Sequence, residues 1–382
     1  MTEYSPGTEL ELAELISTSS GPFEICGRAS KRRLGRHAPC AHQLNLTKFS
    51  GITSYEPEEL VLEAGAATAL SDIQAALESK NQMLAFEPPD FSMVLGSGNS
   101  GSLAGLLNVG FSGPRRIKAG AVRDHILGVR GVSGRGEIFK AGARVVKNVT
   151  GYDMPKMMAG SFGSLAALTS VTFKVLPRPE TEETLLVQGL NDHDAMQVMA
   201  LAMQSSCEVS GAGHVPGVGT LLRLDGIASS VQSRRDSLAR LLDRPCEILD
   251  QQASRQMWQS IRDCQVLRLS GDDVLWRISV PPMQGAATIE QVRKYTPCTH
   301  YYDWAGGLIW LALPYANDGH ANLVRNAVKE GHAFMFKAPD AVRAVVPVFH
   351  PQSPGVRSLS ARIKQAFDPD AKLNPGRMYG VV

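Results

Sequence analysis

The amino-acid sequence predicts an α+β protein of more than one domain. Its 382 residues exceed what one hydrophobic core usually supports, so two or three domains are expected. A second observation is the order βαββαβ, which occurs over 183–249 and again over 273–337 and is typical of ferredoxin-like units. The third is Pro177-Arg178-Pro179, which ends a β-rich run as prolines do at a domain boundary.

The first part of the chain mixes short helices with short strands. Leu12, Leu15 and Ile16 fall on one face of a helix over 8–19. We expect Thr68 to cap a helix over 69–80, because a threonine hydroxyl can accept from the first turn. A hairpin is predicted around Gly134-Arg135-Gly136, between strands at 126–133 and 137–141. Further strands are predicted at 23–26, 43–46, 51–54, 60–64 and 168–176.

The second part has a different rhythm. Two ferredoxin-like units side by side predict one large antiparallel sheet with helices on one face. Strands are predicted at 183–188, 207–213, 219–225, 246–249, 273–280, 299–304, 307–313 and 333–337. Helices are predicted at 192–204, 228–242, 252–262, 285–294, 318–330 and, after the second unit, 356–367. The tail FDPDAKLNPGRMYGVV is rich in turn residues and becomes ordered only by docking on something.

Composition narrows the function classes. A hydrophobic content of 43% and a charged content of 20% are those of a water-soluble globular protein, and the mixed charge of net +2 does not favour a nucleic-acid partner. Six scattered cysteines without a C-x-x-C pair indicate free thiols and no iron–sulfur centre in this chain. The acidic N-terminus lacks a signal-peptide core, and no apolar run is long enough to span a membrane. We therefore expect a cytoplasmic protein whose membrane association, if any, comes through a partner.

Three glycine-rich stretches carry the functional prediction. The first, Gly27-Arg28-Ala29-Ser30-Lys31, follows a strand and resembles a nest of N–H groups around an anion, although most basic loops are simply solvated. The second runs from Gly96 to Arg116, and the third, VKNVTGYDMPKMMAGSFGSLAALTSVTFKV, from Val146 to Val175. None fits the dinucleotide fingerprint G-x-G-x-x-G or the P-loop. Three separated glycine regions suit a long, extended cofactor better than a mononucleotide.

The order and the residues of these glycine-rich stretches resemble those of a known family, the vanillyl-alcohol-oxidase-type (PCMH-type) FAD-linked oxidases. Within it, the chain is most similar to the small FAD-binding subunits of bacterial glycolate oxidase. The resemblance runs nearly end to end and rests on these pieces: CGRASKRRLGR, ALESKNQMLAFEPP, GPRRIKAGAVRDHILG, KNVTGYDMPKMMAGSFGSLAALTSVTFKVLPRP, LWRISVP, DWAGGLIWL and FDPDAKLNPGRMY.

The resemblance implies FAD as cofactor and a PCMH-type FAD-binding domain of two α+β lobes over 1–178. It also implies an antiparallel-sheet cap domain over 179–355 and a C-terminal segment, 356–382, that returns to the FAD domain. The implied cofactor-binding residues are Gly27, Arg28, Ala29, Ser30, Lys31, Pro89, Ser102, Ala104, Gly105, Gly113, Gly151, Asp153, Gly160, Gly163 and Asn374.

The chain also departs from the family pattern. Ala104-Gly105 stands where relatives often have two glycines. Ser164 and Ala166 stand where many relatives have a spacing like G-x-x-G-x-x-G. Because all of these residues are small, we expect FAD binding to remain intact. The first loop has no histidine, and His37 lies past it, so we expect FAD to be bound non-covalently. Relatives that oxidise D-2-hydroxy acids on a metal carry a G-D-G-N-x-H run. Only Gly331-His332 stands in that region here, so no metal is expected.

Oxidation of a 2-hydroxy acid needs a cation for the carboxylate and a base for the hydroxyl proton. The catalytic candidates are Arg277, His332 and Arg377, with Asp303 beside them on the predicted cap sheet. Each also has a plain structural interpretation: Arg277 as an exposed alternating position of a strand, Asp303 as a strand end and His332 as a structural histidine. By the resemblance, the NPGR tail with Arg377 lies near the isoalloxazine.

The resulting prediction is an FAD-dependent oxidoreductase subunit of a glycolate oxidase or dehydrogenase complex, acting in glyoxylate metabolism. Its expected partners are a larger FAD-binding subunit, an iron–sulfur subunit and a small 2-hydroxy acid. Two alternatives stay open. The chain is either an accessory flavin or scaffold subunit with oxidation on the larger subunit, or a stand-alone FAD-linked alcohol or D-lactate dehydrogenase.

Overall fold

The computed structural model describes residues 2–38, 40–143 and 153–380, and the chain forms two compact units. The first unit contains residues up to Phe111, then Ala121–Pro177, and then the chain from Pro351 onward. The second contains Ser112–Gly120 and Arg178–His350.

The described elements are numbered in chain order. Up to residue 177 they are β1 (Thr2–Tyr4), α1 (Glu9–Thr18), β2 (Phe23–Cys26), β3 (His42–Asn45), β4 (Ile52–Glu56), β5 (Val61–Gly65), α2 (Leu70–Glu78), β6 (Gln82–Met83), α3 (Ser92–Leu95), α4 (Leu103–Val109), α5 (Arg116–Ala119), β7 (Ile126–Ser133), β8 (Ile138–Gly142), α6 (Met154–Met158), β9 (Ala166–Lys174) and β10 (Leu176–Pro177). Beyond it they are β11 (Thr181–Val187), α7 (Asp192–Gln204), β12 (Gly211–Val215), β13 (Gly219–Gly226), α8 (Ala228–Leu242), β14 (Glu247–Leu249), α9 (Gln251–Arg262), β15 (Val274–Ser279), α10 (Gly285–Arg293), β16 (Thr299–Asp303), β17 (Leu308–Leu313), α11 (Ala321–Ala327), β18 (His332–Lys337), α12 (Asp340–Val345) and α13 (Pro354–Phe367).

The first unit is built on two main sheets. A small parallel sheet has the order β1-β3-β2, and a five-stranded antiparallel sheet has the order β4-β5-β9-β7-β8. The predicted hairpin is present as β7 and β8, with Gly136 at φ +79° in its turn. Beside the small sheet, Leu373 from the C-terminal tail pairs with Phe23 in parallel, so the tail extends this sheet.

Two hydrophobic cores hold these sheets. Leu12 and Ile16, one helical turn apart on α1, pack with Phe23, Leu44 and Leu373. Thr8 precedes α1 and caps it, because its hydroxyl accepts from the Glu11 N–H at 3.2 Å. The larger core joins α2 and α4 to one face of the five-stranded sheet.

The prediction that Thr68 caps α2 is wrong. The residue before this helix is Ala69, which makes no side-chain cap. The Thr68 hydroxyl instead donates to the Gly65 carbonyl at 2.7 Å and accepts from the Gly51 N–H at 2.9 Å. Thr68 is 1% exposed, and a buried hydroxyl bonds to nearby backbone groups whether or not they belong to a helix.

The second unit carries the predicted pair of ferredoxin-like repeats. Its sheet has eight antiparallel strands in the order β14-β11-β13-β12-β16-β17-β15-β18. Each half has the strand order 4-1-3-2 of a ferredoxin-like unit, and the halves meet where His214 of β12 pairs with Tyr302 of β16. Strand β12 ends two residues later than predicted, because the turn that closes its hairpin lies at Pro216 to Val218.

A polar network crosses this seam between the two halves. The Asp192 carboxylate, on the first turn of α7, accepts from the Tyr302 hydroxyl and lies 3.0 Å from His300 Nε2. His214 Nε2 lies 3.7 Å from the other carboxylate oxygen. Although burial opposes it, the bonds from His300 and Tyr302 lower the pKa of Asp192, whereas burial lowers the pKa of His214. The carboxylate therefore ties α7 of one half to β16 of the other.

Arg115 fastens the short segment 112–120 to the rest of the second unit. Its guanidinium bonds to Glu182 at 3.0 Å and also to Asp225. These two acids face each other across β11 and β13, where like charges would repel. Arg115 is 7% exposed, so the segment is held by a buried, paired cation.

Candidate functional site

A cleft in the first unit collects most of the predicted cofactor residues. It encloses about 570 Å³, including its open mouth. Its walls come from the end of β2 and the loop after it, the start of α4, the turn at Phe162 and the C-terminal tail. The lining residues are Glu24, Ile25, Cys26, Gly27, Arg28, Ala29, Ser30, Lys31, Arg32, Ser102, Gly105, Asn108, Val109, Phe162, Asn374 and Arg377.

The loop after β2 shows the backbone of an anion nest. Ala29 has φ +59°, a left-handed conformation that turns successive N–H groups toward one side. Among the described residues, the N–H groups of Gly27, Arg28, Ser30 and Lys31 have no acceptor within hydrogen-bonding distance. The loop is thus a row of donors that face a cleft.

Lys31 supplies the cation of this loop. Its Nζ donates to the Ser30 hydroxyl at 3.1 Å and to the Ser100 carbonyl at 3.2 Å, and no carboxylate of the described chain forms an ion pair with it. Burial lowers the pKa of Lys31 to about 8, and the charge of Asp90 opposes that shift. The ammonium is therefore held in place but retains bonding capacity.

Gly101 makes room for these two side chains. It has φ +98°, and a Cβ there would lie 2.5 Å from Lys31 Nζ and within van der Waals distance of the Ser30 hydroxyl. Only glycine combines this backbone angle with so close an approach. Gly101 was not among the predicted site residues, because nothing in a glycine-rich stretch distinguishes the glycine that contacts a functional side chain.

The tail residue Asn374 closes the opposite wall. Its Oδ1 accepts from the Ile25 N–H, and its Nδ2 donates to the Phe162 carbonyl, both at 2.8 Å. Gly163, with φ +68°, leaves the space that the Asn374 amide occupies, since a Cβ there would lie 2.8 Å from Nδ2. The structure thus brings Asn374 and Gly163 together at the cleft, and these contacts hold the cleft wall in place.

The remaining predicted cofactor residues are more scattered. Ser102 caps α4 and Gly105 lies beside it, whereas Ala104 and Pro89 are buried. Asp153 caps α6, and Gly160 has open space around its Cα. Gly113 belongs to the second unit, where its carbonyl accepts from Trp304 Nε1 at 3.1 Å. Gly151 lies outside the described residues. The cofactor roles of all these residues stay predictions.

Asn108 is a cleft residue that the sequence did not indicate. Its Oδ1 is buried without a hydrogen-bond partner in the described part of the chain, whereas its backbone carbonyl accepts from the Phe162 N–H. A buried amide oxygen at a cleft can accept a hydrogen bond from a ligand or a water molecule. Asn108 stands in an apolar helical run, LAGLLNV, and a single polar residue there was the available signal.

The cleft fits one end of an extended, anionic cofactor. Diphosphate oxygens accept hydrogen bonds and carry negative charge, and the cleft offers backbone donors and one lysine. Small residues on the facing wall, Ser102 and Gly105, leave backbone exposed to a ligand. Asn108 Oδ1 adds an acceptor for a hydroxyl or amide. This donor set suits a dinucleotide such as FAD.

Two catalytic candidates lie together in the second unit. Arg277 of β15 pairs with Phe334 of β18, and His332 pairs with Ser279, so Arg277 and His332 are diagonal neighbours on one sheet face. The Arg277 guanidinium lies 4.9 Å from the ring centre of Trp304, and that of Arg116 lies 4.2 Å from it. The sequence did not indicate Arg116 or Trp304 as members of this cluster.

Charge and burial set the protonation of this cluster. Burial and the nearby charge of Arg116 lower the pKa of Arg277 to about 10, so it remains a cation at neutral pH. Partial burial of the ring, together with Arg277, His350 and Arg116, lowers the pKa of His332. The cluster combines cations with a neutral imidazole, as a site for a carboxylate and a proton requires.

The third catalytic candidate, Arg377, lies in the first unit. Its guanidinium donates to the carbonyls of Lys31 at 2.8 Å and Arg32 at 2.7 Å, and it lies 3.6 Å from a Glu24 oxygen. Arg377 therefore contacts the backbone of the nest loop, while Arg277 and His332 belong to the other unit.

Neither a metal-binding cluster nor a spanning helix is present in the described ranges. Among these residues, no three or more His, Cys, Asp or Glu side chains are arranged to hold a metal ion. No described helix is both long enough and apolar enough to cross a bilayer.

Comparisons with known proteins give the class first. Residues 6–142 match the family model described as an FAD binding domain. The fold aligns with p-cresol methylhydroxylase with substrate bound, at a TM-score of 0.72 over 98% of this chain and 88% of that chain, with 13% identity. The chain is an FAD-linked oxidoreductase with a PCMH-type fold, and FAD is its cofactor.

Relatives by sequence then give the family. Glycolate oxidase subunit GlcE of Escherichia coli (strain K12) is 34% identical over 381 residues, which is 99% of this chain and 98% of that protein. Glycolate oxidase subunit GlcD of Bacillus subtilis (strain 168) is 32% identical over 149 residues, 39% of this chain and 30% of that protein. The chain belongs to the family of glycolate oxidase subunit GlcE.

Proposed function

We propose that this chain is the FAD-binding subunit of a glycolate oxidase or dehydrogenase complex that oxidises 2-hydroxy acids, with glycolate giving glyoxylate. The observation that carries the proposal is the nest loop, where four N–H groups without an acceptor in the described part of the chain, together with the Lys31 ammonium, face one cleft. FAD, when bound, supplies the hydride acceptor of the reaction. Its non-covalent attachment is part of the proposal, because the loop after β2 has no histidine among the described residues that line the cleft.

The residues of the cleft hold and orient the cofactor in this proposal. The N–H groups of Gly27, Arg28, Ser30 and Lys31 bind the diphosphate oxygens, and Lys31 Nζ neutralises part of their charge. Asn108 Oδ1 accepts from a hydroxyl of the bound cofactor. The rigid support comes from Gly101 and Asn374, which fix the loop and the strand before it.

In this proposal the substrate is bound and deprotonated by the cluster in the second unit that contains Arg277, Arg116 and His332. Arg277 binds the carboxylate of the 2-hydroxy acid through its planar guanidinium. His332, kept neutral by its lowered pKa, accepts the hydroxyl proton, so the oxygen forms the carbonyl as hydride leaves carbon. One proton goes to the imidazole and two electrons leave with the hydride.

A second candidate function has one observation in its favour. The similarity to GlcD covers only 39% of this chain, so the two kinds of glycolate oxidase subunit share a part and differ elsewhere. On this alternative the chain is an accessory flavin subunit, and a larger flavoprotein subunit oxidises the substrate. A complex that also contains an iron–sulfur subunit belongs to either proposal, and membrane association would come through these partners.

The visible spectrum of the purified chain tests the proposal. We expect flavin absorption from the protein, release of free FAD on denaturation, and bleaching when glycolate is added without oxygen. Bleaching only in the presence of the larger subunit would favour the accessory function. A chain that stays colourless after incubation with FAD would overturn both.

Replacing Lys31 with alanine should weaken FAD binding about tenfold, because a hydrogen bond from a charged group is worth roughly 1.5–3 kcal/mol and 1.4 kcal/mol is tenfold in Kd. The pH dependence follows from the pKa of about 8. Below pH 8 the ammonium is charged and attracts the diphosphate, and above it the charge is lost, so the Kd of the native protein should rise between pH 7 and pH 9. Titration of flavin fluorescence measures both effects.

Two variants serve as controls for Lys31. Lys31→Arg keeps its charge throughout this range and should flatten the pH profile. Lys48→Ala removes an exposed lysine whose Nζ bonds only to the Ser5 carbonyl among described residues, and it should leave the Kd unchanged. An unchanged Kd in Lys31→Ala would mean that the loop is a solvated basic loop and does not hold the diphosphate.

A further inference from the structure

We infer that the C-terminal tail holds the nest loop, which follows β2, in the conformation that binds FAD. Arg377 is the positioning residue that fixes this loop. The inference rests on the proposed function, because it assigns to Arg377 a role in FAD binding. It differs from the sequence-based expectation, in which Arg377 contacts substrate or the isoalloxazine. The contact of Arg377 with the Lys31 carbonyl links two parts of the chain that are separated by 346 residues.

The first observation is where the Arg377 guanidinium bonds. It donates to two consecutive carbonyls, those of Lys31 and Arg32. Both carbonyls belong to peptide groups that directly follow the last nest donor, the Lys31 N–H, and the Arg32 N–H turns back to the Ala29 carbonyl at 3.3 Å. A donor shared by the two carbonyls therefore fixes the backbone at the end of the nest. The main chain adds a third link, since the Arg36 N–H donates to the Arg377 carbonyl at 2.8 Å.

The second observation is that the charge of Arg377 is balanced locally. Glu24 lies 3.6 Å from its guanidinium and also forms an ion pair with Arg32. The Arg377 side chain is 14% exposed and that of Glu24 is 15% exposed. A cation shared with an acid in this way attracts a diphosphate less than Lys31 does, and what it contributes is directional hydrogen bonding to the loop.

The third observation is that the tail is firmly placed before it reaches the loop. The Phe23 N–H donates to the Lys372 carbonyl at 2.7 Å, and the Asn374 N–H donates to the Phe23 carbonyl at 2.9 Å. Lys372 Nζ donates to the Ile16 carbonyl at 2.7 Å, at the end of α1. Arg377 therefore reaches the loop from a tail segment that pairs with β2 through Leu373 and then turns.

Docking of the tail and binding of FAD are thermodynamically linked. If the docked tail favours the loop conformation that binds FAD, then bound FAD must favour the docked tail by the same free energy. We expect FAD to slow hydrogen exchange at the amides of Asn374 and Arg377, although neither residue needs to touch the cofactor.

The test compares Arg377→Ala and Arg377→Lys in the full chain, with FAD affinity read by flavin fluorescence. We expect Arg377→Ala to raise the Kd about 10- to 100-fold, because two charge-assisted hydrogen bonds to the loop are lost. Lysine keeps the charge but cannot bond to both carbonyls through a planar fork, so Arg377→Lys should also lose affinity. The ratio of variant to native Kd should stay constant from 0.1 M to 1 M salt, since geometry is not screened.

Three results would overturn the inference. The first is a Kd for FAD in Arg377→Lys equal to that of the native chain. The second is a Kd ratio for Arg377→Ala that shrinks toward one as added salt shortens the screening length from about 10 Å to about 3 Å. The third is hydrogen exchange of the tail amides in the native chain that FAD does not slow. The first two would make Arg377 an anion-binding charge. Failure of the native chain to bind FAD at all would instead refute the proposed function, and the two failures are therefore distinguishable. Arg357→Ala, an exposed arginine of α13, is the control and should match the native Kd.

Discussion

Replacing Gly101 with alanine should weaken FAD binding at least tenfold while leaving most of the fold intact. The added Cβ would lie 2.5 Å from Lys31 Nζ and against the Ser30 hydroxyl, so both side chains must leave their positions. The backbone itself cannot yield easily, because the Gly101 carbonyl accepts from the Leu70 N–H at the start of α2. We expect the Kd for FAD to rise at least tenfold, with a further cost of roughly 1–3 kcal/mol in stability from φ +98°.

Gly98 provides a matched control for this prediction. It lies in the same loop with φ +71°, but a Cβ there would meet nothing within 4 Å. Gly98→Ala should therefore carry the backbone strain without the collision, and its Kd should stay near the native value. Equal losses of affinity in both variants would show that loop strain alone is responsible, and the proposed crowding of Lys31 would be wrong.

A double-mutant cycle with Lys31 sharpens the test. If Gly101→Ala acts by displacing the ammonium, then adding it to Lys31→Ala should cost less affinity than adding it to the native chain. Fully additive losses would mean that Gly101 and Lys31 act independently. Chemical denaturation of each variant separates lost affinity from lost folding.

Local patterns in the sequence predicted the second unit well. Each ferredoxin-like half consists of short helices and strands whose periodicity is visible within 10 to 15 residues, and β-strands such as VLWRIS and LIWLAL consist mainly of apolar residues. The pairing of His214 with Tyr302, which joins the halves, could not be predicted because it depends on which edges meet. The Thr68 cap failed for a related reason, since a tertiary partner competed with the local one.

The candidate site likewise has one part that local sequence predicted and another part that it did not. The nest at Gly27 to Lys31 follows a strand and contains successive small residues, so its sequence indicates its geometry. The roles of Asn374 and Arg377 depend on contacts across more than 340 residues, and no local pattern distinguishes an arginine that binds a substrate from one that bonds to a backbone. Asn108 was missed because a helix with one polar residue is common.

Asp368 should be the residue of the tail whose replacement costs most stability. Its Oδ1 accepts from the Lys372 N–H at 2.9 Å, its Oδ2 from the Leu373 N–H at 2.8 Å, and Lys364 forms an ion pair with it. The carboxylate is fully buried, and Gly134 leaves the space for it, since any Cβ there would overlap Asp368. We expect Asp368→Asn to lower the free energy of unfolding by about 3 kcal/mol, because it leaves a largely buried ammonium without its anion.

The neighbouring acid and a compensating variant serve as controls. Asp370 in the same turn is exposed and lies 3.8 Å from Lys372, so Asp370→Asn should change stability by less than about 0.5 kcal/mol. Burial lowers the pKa of Lys364, whereas the hydrogen bond and the charge of Asp368 oppose that shift, so Asp368 helps to keep the ammonium charged. Adding Lys364→Met to Asp368→Asn should therefore recover part of the loss, and no recovery would refute the unpaired-charge explanation.

The same variant also joins stability to cofactor binding. Asp368 accepts from the backbone N–H groups of Lys372 and Leu373. The residues that follow contact β2 through Asn374 and the nest loop through Arg377. Asp368→Asn should therefore weaken FAD binding at a temperature where the protein is still folded, although Asp368 is not among the residues that line the cleft. Excess FAD should restore part of the lost thermal stability, because a ligand that needs the docked tail shifts the tail toward docking. If the variant were less stable but bound FAD with the native Kd, the tail would support the fold without shaping the loop.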